Sequence, residues 1–216
     1  NTQVDGGGTG KHSVKTDLLK CREKGVRFVS FSPIKSDMAD FLAAEWQPLR
    51  PNTDTALMMG LAHELVSRGN HNSAFLESHC TGYERFEAYL LGKTDGVPKD
   101  AYWAGAIADV APDMIRKLAA EMASKRTIIN LSWSTQRTDH GEQAFWMAIT
   151  LAAILGQIGL PGGGFALGYG ATNLVGRAPS EIPKPALPQG ENLVLDYIPV
   201  ARISDMLLNP GDKFVY

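Results

Sequence analysis

Two apolar runs with strand composition, set among helical segments, constrain the fold of this chain more than any other feature. Residues 26–32 (VRFVSFS) and 127–132 (TIINLS) are rich in β-branched and aromatic side chains and predict buried strands, and residues 45–49 predict a brief third strand. Periodic apolar residues between turn signals predict helices at residues 12–24, 35–44, 53–68, 72–79, 82–91, 99–107, 112–125 and 141–158. Connections of this length favour parallel pairing, so we predict an α/β fold, a Rossmann-like three-layer domain with a parallel sheet.

The composition changes after the last predicted helix. Residues 160–190 (LPGGGFALGYGATNLVGRAPSEIPKPALPQG) are dense in Gly and Pro and disfavour both a helix and a central strand. We therefore predict the Rossmann-like α/β domain over residues 1–160 and an extended, Gly/Pro-rich C-terminal arm over residues 161–216 that leads to a further domain. The first residues, NTQVDGGGTGKH, carry neither an initiator Met nor a signal peptide, and we expect the chain to be an internal part of a longer protein.

Charge and hydropathy limit the classes of partner that this chain can have. The net charge of −2 gives no basic surface for nucleic acid or for an anionic membrane. No uncharged apolar run reaches about 18 residues, so no transmembrane helix is predicted. Cys21 and Cys80 lie far apart and form no metal-ligand spacing; two buried thiols are the favoured interpretation, with a disulfide left open.

Polar side chains follow three of the predicted elements at one edge of the expected sheet. In open α/β sheets, ligands bind beyond the carboxyl ends of the strands. There the sequence places Ser32 and Pro33, the loop of residues 50–54 (RPNTD), and residues 132–140 (SWSTQRTDH). A carboxylate can accept hydrogen bonds from guanine, hydroxyl groups can contact a ribose, and an Arg can pair with phosphate. The sequence therefore predicts a crevice suited to a nucleotide.

Each of these candidates also has a structural interpretation. An Asp in the first turn of a helix, such as Asp54, often only complements the helix dipole. Trp133 and Trp146 are typical core residues, and His140 suits a capping or surface position. The stretch GGGTGK lacks the spacing of a phosphate-binding loop and has no strand before it, and no group of His, Cys, Asp or Glu has metal-ligand spacing.

Three longer motifs carry a resemblance to a known family. They are residues 46–65 (WQPLRPNTDTALMMGLAHEL), 89–104 (YLLGKTDGVPKDAYWA) and 133–170 (WSTQRTDHGEQAFWMAITLAAILGQIGLPGGGFALGYG). In order and spacing these residues resemble the molybdopterin oxidoreductases of the dimethyl sulfoxide reductase family. The likeness is greatest to the bacterial branch that reduces trimethylamine N-oxide, dimethyl sulfoxide or biotin sulfoxide.

The resemblance implies that the chain binds one guanine dinucleotide half of bis-molybdopterin guanine dinucleotide with molybdenum. It implies that Asp54 contacts guanine, with Pro51, Asn52 and Thr53 in the same loop. Ser32 and Pro33 would meet the guanosine ribose at a position where most members have Asp-Pro. The residues expected to approach the pterin and diphosphate are Trp133, Ser134, Gln136 and Arg137, with His140 nearby.

The resemblance also implies what this chain lacks. The family's molybdenum ligand and second dinucleotide half-site belong to other segments, so we expect neither a catalytic residue nor a metal ligand here. Residues 199–211 (PVARISDMLLNPG) resemble the approach to that second half-site. The expected partners are the remaining domains of the same enzyme, an S- or N-oxide substrate, and an electron-donor cytochrome or reductase. The expected location is the periplasm, with the cytoplasm as the alternative.

Two other classes of function compete with this interpretation. A pyridine-nucleotide dehydrogenase could use the same fold, but the G-x-G-x-x-G turn between a first strand and its helix is missing. A non-catalytic nucleotide-binding or interaction module could retain the α/β shell. Such a module has no need of polar residues at all three strand exits, where this sequence has them.

Overall fold

The computed structural model describes residues 14–165 and, further along the chain, residues 187–188, 190–191, 193, 198 and 202–211. The chain divides into two compact units, Asn1–Pro179 and Ser180–Tyr216. In the second unit, the described secondary structure is one short helix over Ile203–Leu208. The first unit contains the strands, the core and every candidate site residue.

Among the described residues of the first unit, four short strands form two parallel pairs. Strand β1 (Val29–Phe31) pairs with β2 (Glu45–Gln47), with Ser30 opposite Trp46, and β3 (Ile128–Ile129) pairs with β4 (Gly164–Phe165). The prediction of an α/β fold with parallel pairing is thereby confirmed. Both predicted strands are shorter than expected, because among the described residues β1 and β3 each pair along one edge only.

Seven helices accompany these strands in the described part of the first unit. They are α1 (Val14–Glu23), α2 (Asp54–Ser67), α3 (Ser73–His79), α4 (Tyr83–Leu90), α5 (Ala101–Ala108), α6 (Pro112–Ser124) and α7 (Glu142–Ile154); the short helix of the second unit is α8 (Ile203–Leu208). Local signals fix several ends. The Asp100 carboxylate accepts from the N–H groups of Tyr102 and Trp103 at the start of α5, at 3.0 and 2.9 Å, and the Asn72 side chain caps α3 in the same way.

The core is built around α2. One face of this helix buries Leu57, Leu61 and Leu65, and α5, α6 and α7 pack against it. Gly60 lets α5 approach closely, because a Cβ added there would overlap the Cβ of Ala104. Burying this apolar surface is the main source of the unit's stability.

Two predicted helices differ from the structure. Residues 35–44 form two 3₁₀ turns, Lys35–Asp37 and Asp40–Leu42, instead of one helix, because the backbone at Met38 and Ala39 is extended. Helix α7 ends at Ile154 rather than at residue 158. Gly156 has a left-handed φ of 64°, and a Cβ there would overlap the Asn72 side chain, so the chain must turn at this point.

Both cysteines have free thiols in the structure. Cys21 and Cys80 are half-buried and unbonded to one another, so the interpretation as thiols is confirmed and the predicted full burial is wrong. Among the described residues, no helix is long and apolar enough to cross a membrane.

Candidate functional site

The loop before α2 presents an uncapped helix start. Asn52 adopts a left-handed φ of 64°, and the Thr53 hydroxyl donates to the carbonyl of Arg50 at 2.6 Å. The Arg50 N–H donates to the carbonyl of Ala108 at 3.0 Å, which fixes the loop on α5. The Thr53 side chain, at the N-cap position, accepts no hydrogen bond from the first turn of α2, and no described side chain accepts from the N–H groups of Thr55 and Ala56. These amides, at the positive end of the helix dipole, are available to a ligand.

Asp54 is the first residue of α2 and is partly withdrawn from water. Burial raises the pKa of its carboxyl group, and a hydrogen bond from its own backbone N–H offsets only part of that rise. Asp54 also lines a cavity of 540 Å³ together with Phe31 at the end of β1. A carboxylate in this environment is stabilised by an incoming N–H donor, and guanine offers two such donors on one edge.

The segment Trp133–Arg137 forms a 3₁₀ helix on the surface. Trp133 is 52% exposed, so the interpretation of this residue as core is wrong, and the same holds for Trp146, which is 62% exposed. The Ser134 hydroxyl lies 2.8 Å from that of Ser132. The side chains of Gln136 and Arg137 are exposed and have no hydrogen-bond or ion-pair partner within the described part of the chain. This segment therefore offers an aromatic face and unpaired donors.

One hydrogen bond joins the two loops. The Asn52 side-chain amide donates to the carbonyl of Asp139 at 3.3 Å. The next residue, His140, has a left-handed φ of 51°, and its ring is exposed, 3.8 Å from the Asp139 carboxylate and 3.9 Å from that of Glu142. The predicted convergence of the loops at residues 50–54 and 132–140 is therefore present in the structure.

Ser32 lies at the carboxyl end of β1 in a separate hydrogen-bonded group. Its buried hydroxyl donates to the Asp37 carboxylate and accepts from the Ile34 N–H at 3.2 Å, while its carbonyl accepts from the Trp46 indole at 3.0 Å. Pro33 is exposed beside it. Among the described residues no hydrogen bond connects Ser32 to either loop.

Asp37 is the one acidic group of this region that sequence reasoning missed. The signal was available, since an Asp five residues after a strand-ending Ser-Pro can return to the Ser side chain. It was hidden because residues 35–44 were predicted as a continuous helix, which would carry Asp37 away from Ser32. The two 3₁₀ turns bring the carboxylate back to the strand end.

The donor set suits an anionic nucleotide better than a metal ion. Arg137, the first-turn amides of α2 and the Trp133 indole supply donors and an aromatic face, and Asp54 supplies an acceptor. In the part of the chain that the structure describes, no group of three or more His, Cys, Asp or Glu side chains could hold a metal.

Fold and site together define an α/β domain with a polar site at the carboxyl ends of parallel strands. The sequence profile of the molybdopterin oxidoreductase family matches residues 11–215, so this chain belongs to that family. The chain is also similar to a solved structure, acetylene hydratase from Pelobacter acetylenicus, with a TM-score of 0.57 over 67% of this chain and 19% of that one. At 24% identity that likeness concerns the fold alone.

Curated relatives refine the position within the family. The chain is 51% identical to biotin sulfoxide reductase from Cereibacter sphaeroides over 99% of its own length, and 46% identical to trimethylamine-N-oxide reductase from Haemophilus influenzae over 91%. It is 42% identical to dimethyl sulfoxide/trimethylamine N-oxide reductase from Cereibacter sphaeroides over 95%. It spans 29%, 25% and 26% of these three relatives, about a quarter of each.

Proposed function

We propose that this chain binds one guanine dinucleotide half of bis-molybdopterin guanine dinucleotide within a Rossmann-like, three-layer domain of a longer S- or N-oxide reductase. The observation that carries the proposal is the joining of two loops through Asn52 and the Asp139 carbonyl at 3.3 Å. This contact supports the proposal because it joins the loop that precedes the partly desolvated Asp54 to the loop that follows the unpaired donors of residues 133–137.

The guanine end would be held by Asp54. Its carboxylate accepts from the N1–H and N2–H of guanine, a pairing that requires the ionised acid. The free carboxyl group has a raised pKa because it has lost part of its hydration. Two ligand N–H donors would replace the lost water and favour the charged form. Asp54 would therefore select guanine over adenine, which presents no such pair of donors.

The diphosphate and pterin would lie toward the other loop. Arg137 has no ion-pair partner within the described residues, so its guanidinium group can pair with a phosphate without breaking a native contact. The exposed Trp133 indole can pack on a flat ring, while Ser134, Gln136 and His140 can supply hydrogen bonds.

The ribose would be met by Ser32 together with Asp37. The Ser32 hydroxyl already donates to Asp37, so a ribose hydroxyl would have to donate to Ser32 or to the carboxylate behind it. Asp37 then supplies the negative charge that the resemblance leads one to expect at position 32, from five residues further along the chain.

The full-length enzyme would transfer an oxygen atom away from an S- or N-oxide. When bound, the molybdenum cofactor would supply that redox chemistry, and this chain would bind and orient one end of it. Trp146 and Ile149 are exposed on α7 and favour contact with the remaining domains of the enzyme. An electron-donor cytochrome or reductase would complete the cycle, in the periplasm or alternatively in the cytoplasm.

The test is the cofactor content of the matured full-length enzyme. Molybdenum and guanine nucleotide released on denaturation should be found in a ratio of about one to two. A matured enzyme holding neither metal nor nucleotide would overturn the proposal and favour an interaction module that retains the family's shell. Nucleotide without guanine would leave the fold assignment in place and remove the role of Asp54.

A further inference from the structure

A cleft separates the two strand pairs of the first unit. This inter-sheet cleft is the 540 Å³ cavity already described, and residues of both β1 and β3 line it. Arg27, Val29 and Phe31 line one wall, and residues 127–131 line the other. Its floor is apolar and comes from three helices, through Leu57, Met58, Leu61, Leu118, Met122 and Leu151. The cleft therefore has apolar side chains on its floor and backbone N–H and C=O groups along its walls.

The hydrogen bonds of β1 identify which backbone groups face the cleft. The Phe28 carbonyl accepts from Glu45 at 2.9 Å, and the Ser32 N–H donates to Gln47 at 3.3 Å, so even-numbered residues of β1 face β2. In a parallel strand, each residue directs both its N–H and its C=O to one side of the strand, and the next residue directs both to the other side. Val29 and Phe31 therefore direct theirs into the inter-sheet cleft, and both residues line it.

The same reasoning applies to β3. The Thr127 carbonyl accepts from the Gly164 N–H at 2.8 Å, so Thr127 and Ile129 face β4. Ile128 and Asn130 then direct their backbone groups into the cleft from the opposite wall. The Ile128 side chain is also 56% exposed, an unusual environment for a large apolar residue of a parallel sheet.

The two walls run in the same direction. Arg27, which precedes β1, forms an ion pair with Glu121 in the last turn of α6, and α6 leads directly into β3. The lining also includes Phe31 at the carboxyl end of β1, Leu131 two residues beyond β3, and Asp54. The amino ends of β1 and β3 therefore share one end of the cleft, and within the described residues each of these strands pairs along one edge only.

We infer that one strand from a part of the full-length enzyme outside these 216 residues enters the inter-sheet cleft and pairs in parallel with both β1 and β3. The order β2–β1–incoming strand–β3–β4 would then form one five-stranded parallel sheet. The inference rests on the part of the proposed function that makes this chain one section of a longer enzyme. The relatives are long enough to include such a strand outside the matched region, since this chain spans about a quarter of each.

The cleft specifies the chemistry of the incoming strand. A central parallel strand is buried on both faces, so we expect a run of about four to six residues rich in Val, Ile and Leu, without Pro. The basic residues Lys125 and Arg126 lie at the amino end of the cleft, and Asp54 lies at the carboxyl end. A parallel strand would therefore deliver its following loop to Asp54 and to the uncapped start of α2.

Backbone hydrogen exchange tests the inference in two forms of the protein, the 216-residue chain and the full-length enzyme. The amides of Val29, Phe31, Ile128 and Asn130 should exchange rapidly in the 216-residue chain. In the full-length enzyme, whether loaded with cofactor or freed of it, they should exchange at least about 100-fold more slowly. Ser30, whose backbone groups face β2, is the internal control and should differ less between the two forms.

Three outcomes would overturn the inference. Rapid exchange at all four amides in the full-length enzyme would show that no strand pairs there. Slow exchange already in the 216-residue chain would assign the cleft to this chain's own residues, or to a second copy if the protection increases with protein concentration. Protection that appears only with cofactor bound would assign it to the cofactor. Cofactor content is measured separately, so an enzyme that binds no cofactor can be distinguished from an enzyme in which no strand enters the cleft.

A proline variant provides a second readout. Val29→Pro removes an N–H that β2 does not use, so it should lower the Tm of the 216-residue chain only slightly. In the full-length enzyme the same change should cause a several-fold larger decrease in Tm, because there it removes a hydrogen bond to the incoming strand and introduces a ring into the cleft. Ser30→Pro is the control that weakens β1–β2 pairing in both forms. Equal small shifts for Val29→Pro would contradict the inference.

Discussion

The contact of α2 with α5 and the inter-sheet cleft are two sides of the same unit with opposite character. Between α2 and α5 the packing is so close that Gly60 has no room for a Cβ against Ala104. Across the cleft, the described residues pair β1 and β3 along one edge each, so backbone groups of both strands are directed into the cleft. Among the described residues the helices on one side pack closely against one another, whereas each strand on the other side pairs along one edge only. Substitutions in the α2–α5 contact should therefore lower the stability of the unit. Substitutions on the side of the cleft should instead affect cofactor binding or assembly with the rest of the enzyme.

Gly60→Val should have the largest effect on stability. The added side chain overlaps Ala104, which must move in a fully buried contact, and overpacking of this kind costs about 3 kcal/mol. Urea unfolding of the 216-residue chain measures it. Ala120→Val, at an exposed position of α6, is the matched control and should cost about 0.5 kcal/mol. Equal losses for the two variants would show that α2 and α5 are not closely packed.

Arg137→Ala should have the next largest effect, on cofactor retention rather than on the stability of the fold. Loss of a charge-assisted contact to phosphate should weaken cofactor retention by about 2 kcal/mol, roughly thirtyfold. The measurement is guanine nucleotide retained by the full-length enzyme along a mild urea titration. Arg85→Ala removes an exposed arginine from α4 and should change nothing. Wild-type retention in the Arg137 variant would make this residue part of the general surface.

Asn52→Ala should have a moderate effect with two separable parts. Alanine is strained at a φ of 64° and cannot donate to the Asp139 carbonyl, so unfolding of the 216-residue chain should become easier by about 1.5 kcal/mol. Asn52→Gly accommodates the backbone and loses only the hydrogen bond, and should cost about 0.5 kcal/mol. If the two variants were equally stable, backbone strain would play no part at this position.

Asp54→Asn should give the smallest effect on stability, visible in its pH dependence. Burial raises the folded-state pKa of Asp54, so the unfolded chain releases this proton first as the pH rises. Wild-type stability is therefore lost progressively as pH rises from the unfolded-state pKa through the folded-state pKa. The advantage of the Asn variant should grow from about pH 3.5 to pH 7 in the cofactor-free chain. Parallel stability profiles would mean that Asp54 is fully hydrated.

The sequence predicted best where local signals and local packing coincide. The turn residues that bound α3 and α5 and the apolar periodicity of α2 predicted these three helices, and the structure has them within two residues of their predicted limits. The contact between residues 50–54 and residues 132–140 was expected because ligand sites lie beyond the carboxyl ends of strands, although the two loops follow β2 and β3 of separate strand pairs.

Prediction failed where the outcome depends on contacts distant in sequence. The strand run at residues 127–132 has the composition of a long strand, yet only Ile128 and Ile129 pair, because ladder length depends on the neighbouring strands. Trp133 and Trp146 were assigned to the core from residue type alone and are exposed. Asp37 was missed because the extended backbone at Met38 and Ala39 breaks the predicted helix.

The central claim is that Asp54 binds the guanine of a molybdenum cofactor. The most direct measurement is the guanine nucleotide content of full-length Asp54→Ala enzyme, compared with wild type matured in parallel, with the Tm of both cofactor-free forms recorded alongside. We predict that bound guanine falls substantially while the Tm of the cofactor-free enzyme is not lowered, because the free carboxyl group gains little from its buried position. Wild-type guanine content in the variant would contradict the claim and remove Asp54 from the cofactor site.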